Sequence, residues 1–288
     1  MKLSKSISLF FVLLSSSLLS SCVSGGLKVI NSLAKSKEFE SHQNLPYADK
    51  AHNNLNLFIP KNQNIKATII FFYGGCWGNC STLNKDHYLF VVDTLVQQGY
   101  AVVVPDYRKF PDVLFTEIIE DAKLATQWTI QNLKRYDITN ENIFLMGHSA
   151  GAHMAAMLVA DENFLGKDLN KISGFIGLAG PYDFYPFTDQ YMYKLFSPEN
   201  DYFNSLPINF INGNEPPHLL LQGKKDKRVF IHNAVNLAEK LKLNGVDHQL
   251  VLYEKMSHTR ILLSLSKVFK NRSNVINDIT QFIKKHSL

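Results

Sequence analysis

The chain has 288 residues, of which 45% are hydrophobic and 19% are charged, and its formal net charge is +5. This composition excludes a disordered or collagen-like chain, and the length is sufficient for one large domain with its own core. No block of lysine and arginine stands out, and three cysteines are too few for a disulfide scaffold, so we expect neither a nucleic-acid partner nor a cystine-rich fold.

The N-terminus has the pattern of a secretory signal. Lys2 and Lys5 precede an apolar run over residues 7–19, which contains only Ile, Leu, Phe, Val and Ser. Such a run is too short to span a bilayer comfortably, but it suits a cleaved export signal. The sequence therefore predicts an exported protein.

The exit from this run, Leu19-Ser20-Ser21-Cys22, resembles the lipobox of bacterial lipoproteins. The resemblance implies a signal peptide over residues 1–21 and a lipid on Cys22, which would hold the protein at a bacterial membrane on its periplasmic or outer side. Ordinary signal cleavage, with Cys22 merely nearby, is the alternative. The polar residues 22–45 read as a tether, which leaves residues 46–288 as the main domain.

The body of the chain alternates short apolar runs with helical patterns. Strands are predicted at 55–59, 67–73, 100–104, 142–146, 172–179, 218–222 and 248–253, and helices at 82–98, 113–135, 150–160, 229–243 and 274–286. This alternation predicts an α/β fold with a mostly parallel, doubly wound sheet and helices on both faces. Functional residues are then expected in loops beyond the carboxyl ends of the strands.

The strand at 142–146 leads into Gly147-His148-Ser149-Ala150-Gly151, and a helix follows. This is a G-x-S-x-G motif between strand and helix, where glycines allow a turn sharp enough to lift the Ser149 hydroxyl above the sheet. The motif predicts that Ser149 is a nucleophile.

Together with Tyr73-Gly74-Gly75-Cys76-Trp77, this motif resembles the α/β-hydrolase fold, and most closely carboxylesterases of the hormone-sensitive-lipase type with their formamidase and prenylcysteine-methylesterase relatives. The resemblance extends from about residue 50 to the C-terminus. It also includes Pro105-Asp106-Tyr107-Arg108, Phe110-Pro111, Asp121 and Trp128. The chain departs from the pattern at Tyr73, where a histidine is usual, which puts in question how the loop is braced.

Acyl transfer needs donors for a developing oxyanion. The resemblance and the glycines point to backbone N–H groups of Gly74, Gly75 or Cys76, together with that of Ala150 after the nucleophile. Without Ser149, the two glycines would read as an ordinary tight turn.

In this fold the acid and the base follow the nucleophile in chain order. Asp226 lies in Gly223-Lys224-Lys225-Asp226 after a strand, and His258 lies in the loop after the last strand. Helix capping is the other role open to Asp226. Asp183 is the rival acid but reads as a residue that braces its loop, and we expect His148 and His153 to point into the elbow packing or the helix face.

Residues 181–215 read as a short cap insertion, and ten of the thirty residues at 181–210 are aromatic. These aromatics either close the edge of the sheet or line an apolar pocket, and we expect Trp77, Phe110 and Tyr182 to contribute to that pocket. The Lys-rich loop 224–228 reads as a solvated turn.

Cys76 and Cys80 remain after the lipid-anchored cysteine. They form either a disulfide in a tight loop or two free thiols, and an exported compartment permits the bond.

The sequence thus predicts a serine hydrolase that cleaves small or medium acyl esters through Ser149, His258 and Asp226, with no metal and no cofactor. The alternatives are an arylformamidase-like amide hydrolase, a peptidase, or a non-catalytic surface lipoprotein that uses the fold as a scaffold.

Overall fold

The computed structural model describes residues 30–32, 34, 39–61, 63–80, 83–198, 202–269 and 273–287. The predicted signal peptide and Cys22 lie outside this set. Within it, no helix combines the length and the apolar character needed to cross a membrane.

Eight strands form one sheet. They are β1 (Phe39–Pro46), β2 (Asn54–Pro60), β3 (Ala67–Phe72), β4 (Tyr100–Pro105), β5 (Ile143–His148), β6 (Ile172–Leu178), β7 (His218–Gly223) and β8 (His248–Tyr253). Their spatial order is β1-β2-β4-β3-β5-β6-β7-β8. Strands β3 to β8 pair in parallel, whereas β2 is antiparallel to both β1 and β4.

Helices connect the strands. They are α1 (Leu89–Val96), α2 (Phe115–Asn132), α3 (Ala150–Ala160), α4 (Glu162–Leu165), α5 (Gln190–Leu195), α6 (His232–Leu243), α7 (His258–Leu263) and α8 (Val275–His286). The central strands β3, β4 and β5 are buried along their whole length, as expected for apolar strands covered on both faces. Helix α3 is buried along its whole length too, so it forms a rigid base behind Ser149.

The predicted tether is wrong in its second half. Residues 39–46 form the edge strand β1, and Ala34 is buried in the core. The side chain of Asn31 accepts a hydrogen bond from the backbone N–H of Phe90 at 3.1 Å. Strand β1 carries mostly polar residues because its exposed edge faces solvent, and this polarity concealed it in the sequence.

The segment between β6 and β7 forms the cap. It contains α5 and two short 3₁₀ turns, Phe203–Ser205 and Pro207–Phe210, and it lies over the carboxyl end of the sheet. Its aromatic side chains contact one another in a continuous cluster that includes Phe184, Phe187 and Phe196.

Candidate functional site

Ser149 lies in the turn between β5 and α3. Its backbone has φ 56° and ψ −125°, a conformation that a non-glycine residue adopts only under tertiary constraint. A Cβ at Gly147 would approach the backbone carbonyl carbon and oxygen of Gly151 to 2.4 Å, and a Cβ at Gly151 would lie 2.0 Å from the carbonyl oxygen of Phe72. Only glycine fits at these two positions, so the elbow depends on both.

The structure brings Ser149, His258 and Asp226 together. The Nε2 atom of His258 lies 2.9 Å from the Ser149 Oγ, and its Nδ1 lies 2.8 Å from Asp226 Oδ2. These residues come from the ends of three strands: Asp226 follows β7, and His258 follows β8 at the start of α7. The distances allow a continuous hydrogen-bond chain from hydroxyl to carboxylate.

Asp226 is buried, and its carboxylate is fully hydrogen-bonded. Its Oδ1 accepts from the backbone N–H groups of Arg228 and Val229 at 2.8 and 2.9 Å, and its Oδ2 accepts from the amide of Gln222 at 3.3 Å. Burial acts to raise the pKa of Asp226, but the hydrogen bonds from His258 and the backbone outweigh it and lower the pKa below the usual value. Asp226 is therefore ionised near pH 7.

The loop after β3 lies against the nucleophile. A Cβ at Gly74 would lie 3.0 Å from the Ser149 Cβ and 2.8 Å from the carbonyl oxygen of His148. The chain then turns through Gly75, Cys76 and Trp77 with positive φ values of 136°, 52° and 55°. There is therefore no room for a side chain between Gly74 of this loop and Ser149.

The four residues proposed as oxyanion donors flank the nucleophile on two sides. Gly74, Gly75 and Cys76 belong to this loop, and Ala150 is the first residue of α3. The first N–H groups of a helix have no acceptor one turn earlier, so that of Ala150 has no intrahelical partner. A helix N-terminus also favours negative charge.

A disulfide joins Cys76 to Cys80 with a Cα–Cα distance of 5.2 Å. Of the two states that the sequence left open, the structure contains the bonded one. Cys76 is also one of the candidate donors, and Cys80 lines the cavity as well. The bond therefore constrains the candidate oxyanion loop at its end.

Tyr73, at which the sequence departs from the pattern that it resembles, lies fully buried beneath this loop. Its hydroxyl donates to Asp106 Oδ1 at 2.7 Å, and the other oxygen of Asp106 accepts from Lys85 Nζ at 3.0 Å. The ring of Tyr73 stacks between Tyr88 and Tyr107, with centroids 5.0 and 4.7 Å away. Tyr73 therefore braces the loop through Asp106 from below.

Two buried histidines beside Ser149 have roles that the sequence did not indicate. His148 donates from Nε2 to the backbone carbonyl oxygen of His258 at 2.9 Å. His153 accepts from the indole N–H of Trp77 at 3.2 Å through Nδ1 and donates from Nε2 to the carbonyl oxygen of Ser205 at 2.7 Å. His153 thus joins the candidate oxyanion loop to the cap. The periodicity of α3 could not show this, because every residue of the helix is buried.

A cavity of about 690 Å³ opens in front of Ser149 and His258. Its apolar lining includes the disulfide and aromatic residues of the cap, and its polar lining includes Asp189 of the cap and Lys227 and Arg228 after β7. The lining comprises Cys76, Trp77, Asn79, Cys80, Ser149, Pro181, Phe184, Tyr185, Pro186, Thr188, Asp189, Tyr191, Met192, Lys227, Arg228, Val229, Phe230, His232, Asn233 and His258.

Of the three predicted pocket residues, only Trp77 lines this cavity. Phe110 lies behind Tyr191, with ring centroids 6.0 Å apart. Tyr182 is turned inward, and its hydroxyl fills the space left by the missing side chain of Gly177. Both predictions were wrong because the sequence could not tell inward-packed aromatics from exposed ones.

Asp183 has a structural role in its loop. Its Oδ2 accepts from the amide of Asn236 at 2.6 Å, and its backbone N–H donates to Asn233 at 2.9 Å. It therefore joins the cap to α6 and does not contact His258.

Comparison with known proteins finds a matching family model and relatives named as hydrolases. The chain matches the BD-FAE family model over residues 55–241. It is similar to an isoprenylcysteine alpha-carbonyl methylesterase of Arabidopsis thaliana, with 24% identity over 270 residues that cover 83% of this chain and 61% of that protein. It is also similar to a kynurenine formamidase of Danio rerio, with 28% identity over 149 residues, 51% of this chain and 48% of that protein. The chain thus spans about half to three fifths of the length of these curated relatives.

Among solved structures, a thermophilic and thermostable carboxylesterase cloned from a metagenomic library superposes with a TM-score of 0.76 at 17% identity. The match covers 95% of this chain and 98% of that one. This likeness and the sheet order confirm the predicted α/β-hydrolase fold.

Proposed function

The chain belongs to the BD-FAE family, and from this premise we propose that it is a serine hydrolase that cleaves carboxylic esters of small or medium acyl chains. One observation carries the proposal, the hydrogen-bond chain from Ser149 through His258 to Asp226 at 2.9 and 2.8 Å. That arrangement suits nucleophilic catalysis by a hydroxyl, and a protein that only binds a ligand has no need of it.

In the proposed mechanism Ser149 Oγ attacks the ester carbonyl carbon while its proton passes to Nε2 of His258. Asp226 accepts from Nδ1–H, which keeps the imidazole in the tautomer that presents a lone pair to the serine. The protonated His258 then gives its proton to the leaving alkoxide. Water, deprotonated by the same imidazole, attacks the acyl-enzyme and releases the acid.

Charge develops on the carbonyl oxygen during each attack. The N–H of Ala150 and those of the loop Gly74–Cys76 are the proposed donors to this oxygen. Trp77 would form the cavity wall next to them. Removal of one such donor generally lowers kcat by about 10²- to 10³-fold.

The cavity volume supports the proposed substrate size. About 690 Å³ falls within the range that holds ligands of drug-like size. The wall formed by Trp77, Tyr191 and Met192 is apolar, which favours an acyl or aryl group over a free sugar or nucleotide.

We also propose that the enzyme is a lipoprotein, exported and anchored at Cys22 to a bacterial membrane. The support is the sequence pattern of residues 1–22. The disulfide at Cys76–Cys80 is consistent with an oxidising compartment. Metabolic labelling with an alkyne palmitate analogue tests the anchor, and Cys22→Ser should abolish the label.

A fluorophosphonate probe tests the catalytic proposal. We expect labelling of the wild-type protein and none of Ser149→Ala, with hydrolysis of 4-nitrophenyl butyrate lost in parallel. An exposed serine, Ser41 in β1, supplies the matched control Ser41→Ala. Equal labelling of the wild-type protein and Ser149→Ala, or no labelling of either, would overturn the assignment and favour a non-catalytic surface protein.

Amide hydrolysis is a second candidate, favoured by the similarity to a kynurenine formamidase. The same three residues would act on an aryl formamide. N-formylkynurenine and an aminoacyl anilide, run beside 4-nitrophenyl esters of increasing acyl length, separate esterase, formamidase and peptidase by their kcat/KM values.

A further inference from the structure

We propose that Lys227 and Arg228 form an anion subsite in the mouth of the cavity, so that the preferred substrate is an ester carrying a carboxylate at the end away from the reacting bond. The inference rests on the proposed esterase function for its kinetic consequence. The subsite itself is a binding property, which can be measured without turnover.

The subsite is built into the loop that carries the catalytic acid. Lys227 and Arg228 directly follow Asp226, and both line the same cavity as Ser149 and His258. The backbone N–H of Arg228 donates to Asp226 at 2.8 Å. This bond fixes the main chain of the loop, while the two side chains remain exposed to the cavity mouth.

These two cations have no acidic partner among the residues that the structure describes. Lys224, in the same loop, pairs with Glu254, whereas neither Lys227 nor Arg228 lies within 4.0 Å of a carboxylate in any described ion pair. All four basic side chains of the expected solvated turn are exposed. Its second half faces the substrate cavity.

The charges that face this mouth are unequal. Asp189 is the only carboxylate among the lining residues, against the two cations, and it lies on the cap side near Tyr191. Burial raises the pKa of the Tyr191 hydroxyl, and of the two charges that act on it Asp189 raises the pKa further whereas Arg228 lowers it. The mouth keeps an excess of positive charge next to an apolar interior.

This combination defines the ligand chemistry. An apolar acyl or aryl body would fill the space beside Trp77 and Met192, and a terminal carboxylate would reach the two cations, with Arg228 able to bind it through two N–H groups. At the partly solvated mouth such a contact favours the anion over a neutral analogue by about tenfold.

Binding to Ser149→Ala tests the subsite without chemistry. We expect 5-phenylpentanoate to bind about tenfold more tightly than the neutral 5-phenylpentan-1-ol by calorimetry. The preference should disappear in Ser149→Ala combined with Lys227→Gln and Arg228→Gln. It should persist with Lys225→Gln, which removes an exposed charge from the same loop but does not line the cavity.

The kinetic arm compares mono-4-nitrophenyl glutarate with 4-nitrophenyl pentanoate, which have the same chain length. The ratio of their kcat/KM values should fall about tenfold in Lys227→Gln/Arg228→Gln and stay constant in Lys225→Gln. A ratio that does not change, or equal binding of the two phenyl ligands by Ser149→Ala, would overturn the subsite. If the wild-type protein hydrolyses neither ester, the esterase proposal fails, and the calorimetric result alone still decides the subsite.

Discussion

His148 holds the main chain of His258 in place. Its Nε2–H donates to the carbonyl oxygen of His258 at 2.9 Å, and the two rings lie 4.8 Å apart. Burial, with a smaller contribution from His258, lowers the pKa of His148 to about 3. The ring is therefore neutral near pH 7, and the residue before the nucleophile positions the proposed base without sharing its proton.

Loss of this bond should slow the chemical step. We expect His148→Phe to lower kcat about tenfold with a smaller change in KM, because a loosened His258 backbone misaligns Nε2 with Ser149 Oγ. His148→Gln, which can donate from its amide, should recover part of the rate. The exposed His52 gives the control His52→Gln, and an unchanged kcat in His148→Phe would contradict the positioning role.

Gly74→Ala should damage the candidate oxyanion loop. The added Cβ would approach the His148 carbonyl oxygen to 2.8 Å and the Ser149 Cβ to 3.0 Å. Because both neighbours are fixed by the elbow, the loop must move, and we expect kcat to fall about 10²-fold. Burst kinetics with a 4-nitrophenyl ester measure the acylation step directly. Circular dichroism should show an intact fold, and full activity in the folded variant would exclude the loop from oxyanion binding.

The link from Trp77 through His153 to Ser205 should contribute to stability. His153→Phe leaves the indole N–H and the Ser205 carbonyl without partners, at a cost of about 1–3 kcal/mol for each group. A double-mutant cycle with Trp77→Phe, read by urea unfolding, should give a coupling energy of about 1 kcal/mol or more. If the changes in unfolding free energy of the two single variants add up to that of the double variant, the Trp77–His153 bond contributes nothing to stability.

Reduction of the Cys76–Cys80 bond should weaken the site. Closure of so short a loop stabilises the native state by about 2 kcal/mol, and its loss frees the candidate oxyanion loop. We expect dithiothreitol to lower both kcat and the unfolding free energy of the wild-type protein. The same treatment should leave Cys80→Ser unaffected, and equal sensitivity of both proteins would point to a different cause.

Stability should fall as the pH drops below about 6.5. Burial lowers the pKa of His148 to about 3 and those of His153 and His218 to about 4, whereas unfolded histidine titrates near 6.5. In this interval the unfolded chain binds more protons, so the unfolding free energy decreases with decreasing pH.

Each of these histidines should lower the free energy of unfolding by about 1 kcal/mol between about pH 7.5 and about pH 5.5. Urea unfolding at both values measures the difference. His218 does not line the cavity, and His218→Gln should remove about 1 kcal/mol of the pH dependence whatever its effect on absolute stability. A pH dependence that does not change in this variant would exclude His218 as a contributor.

The core of this fold could be predicted because its signals are local. The apolar runs at 67–73 and 218–222 match β3 and β7 to within one residue, since strands buried on both faces are mostly apolar along their length. Strand β1 was missed for the opposite reason, as an edge strand can be polar throughout. The helix predicted at 82–98 begins with a 3₁₀ turn, Lys85–Tyr88, before α1.

In the candidate site, chain order and strand ends were enough to choose Ser149, Asp226 and His258, which the structure places in hydrogen-bond contact. Side-chain direction was not available from the sequence. Tyr182 turns inward because Gly177 leaves room for its hydroxyl, and His153 contacts a turn 52 residues away. Such contacts depend on tertiary packing, which no local pattern records.

Because Ala34 is buried and Asn31 is hydrogen-bonded to the domain, the tether between a lipid on Cys22 and the folded domain would be short. With lipid on Cys22, only eight residue steps separate the acyl chains from Ile30, about 28 Å at full extension. A tether that ran to residue 45 would have allowed almost three times that reach. With such an anchor, the start of the folded domain would stay within about 28 Å of the bilayer surface.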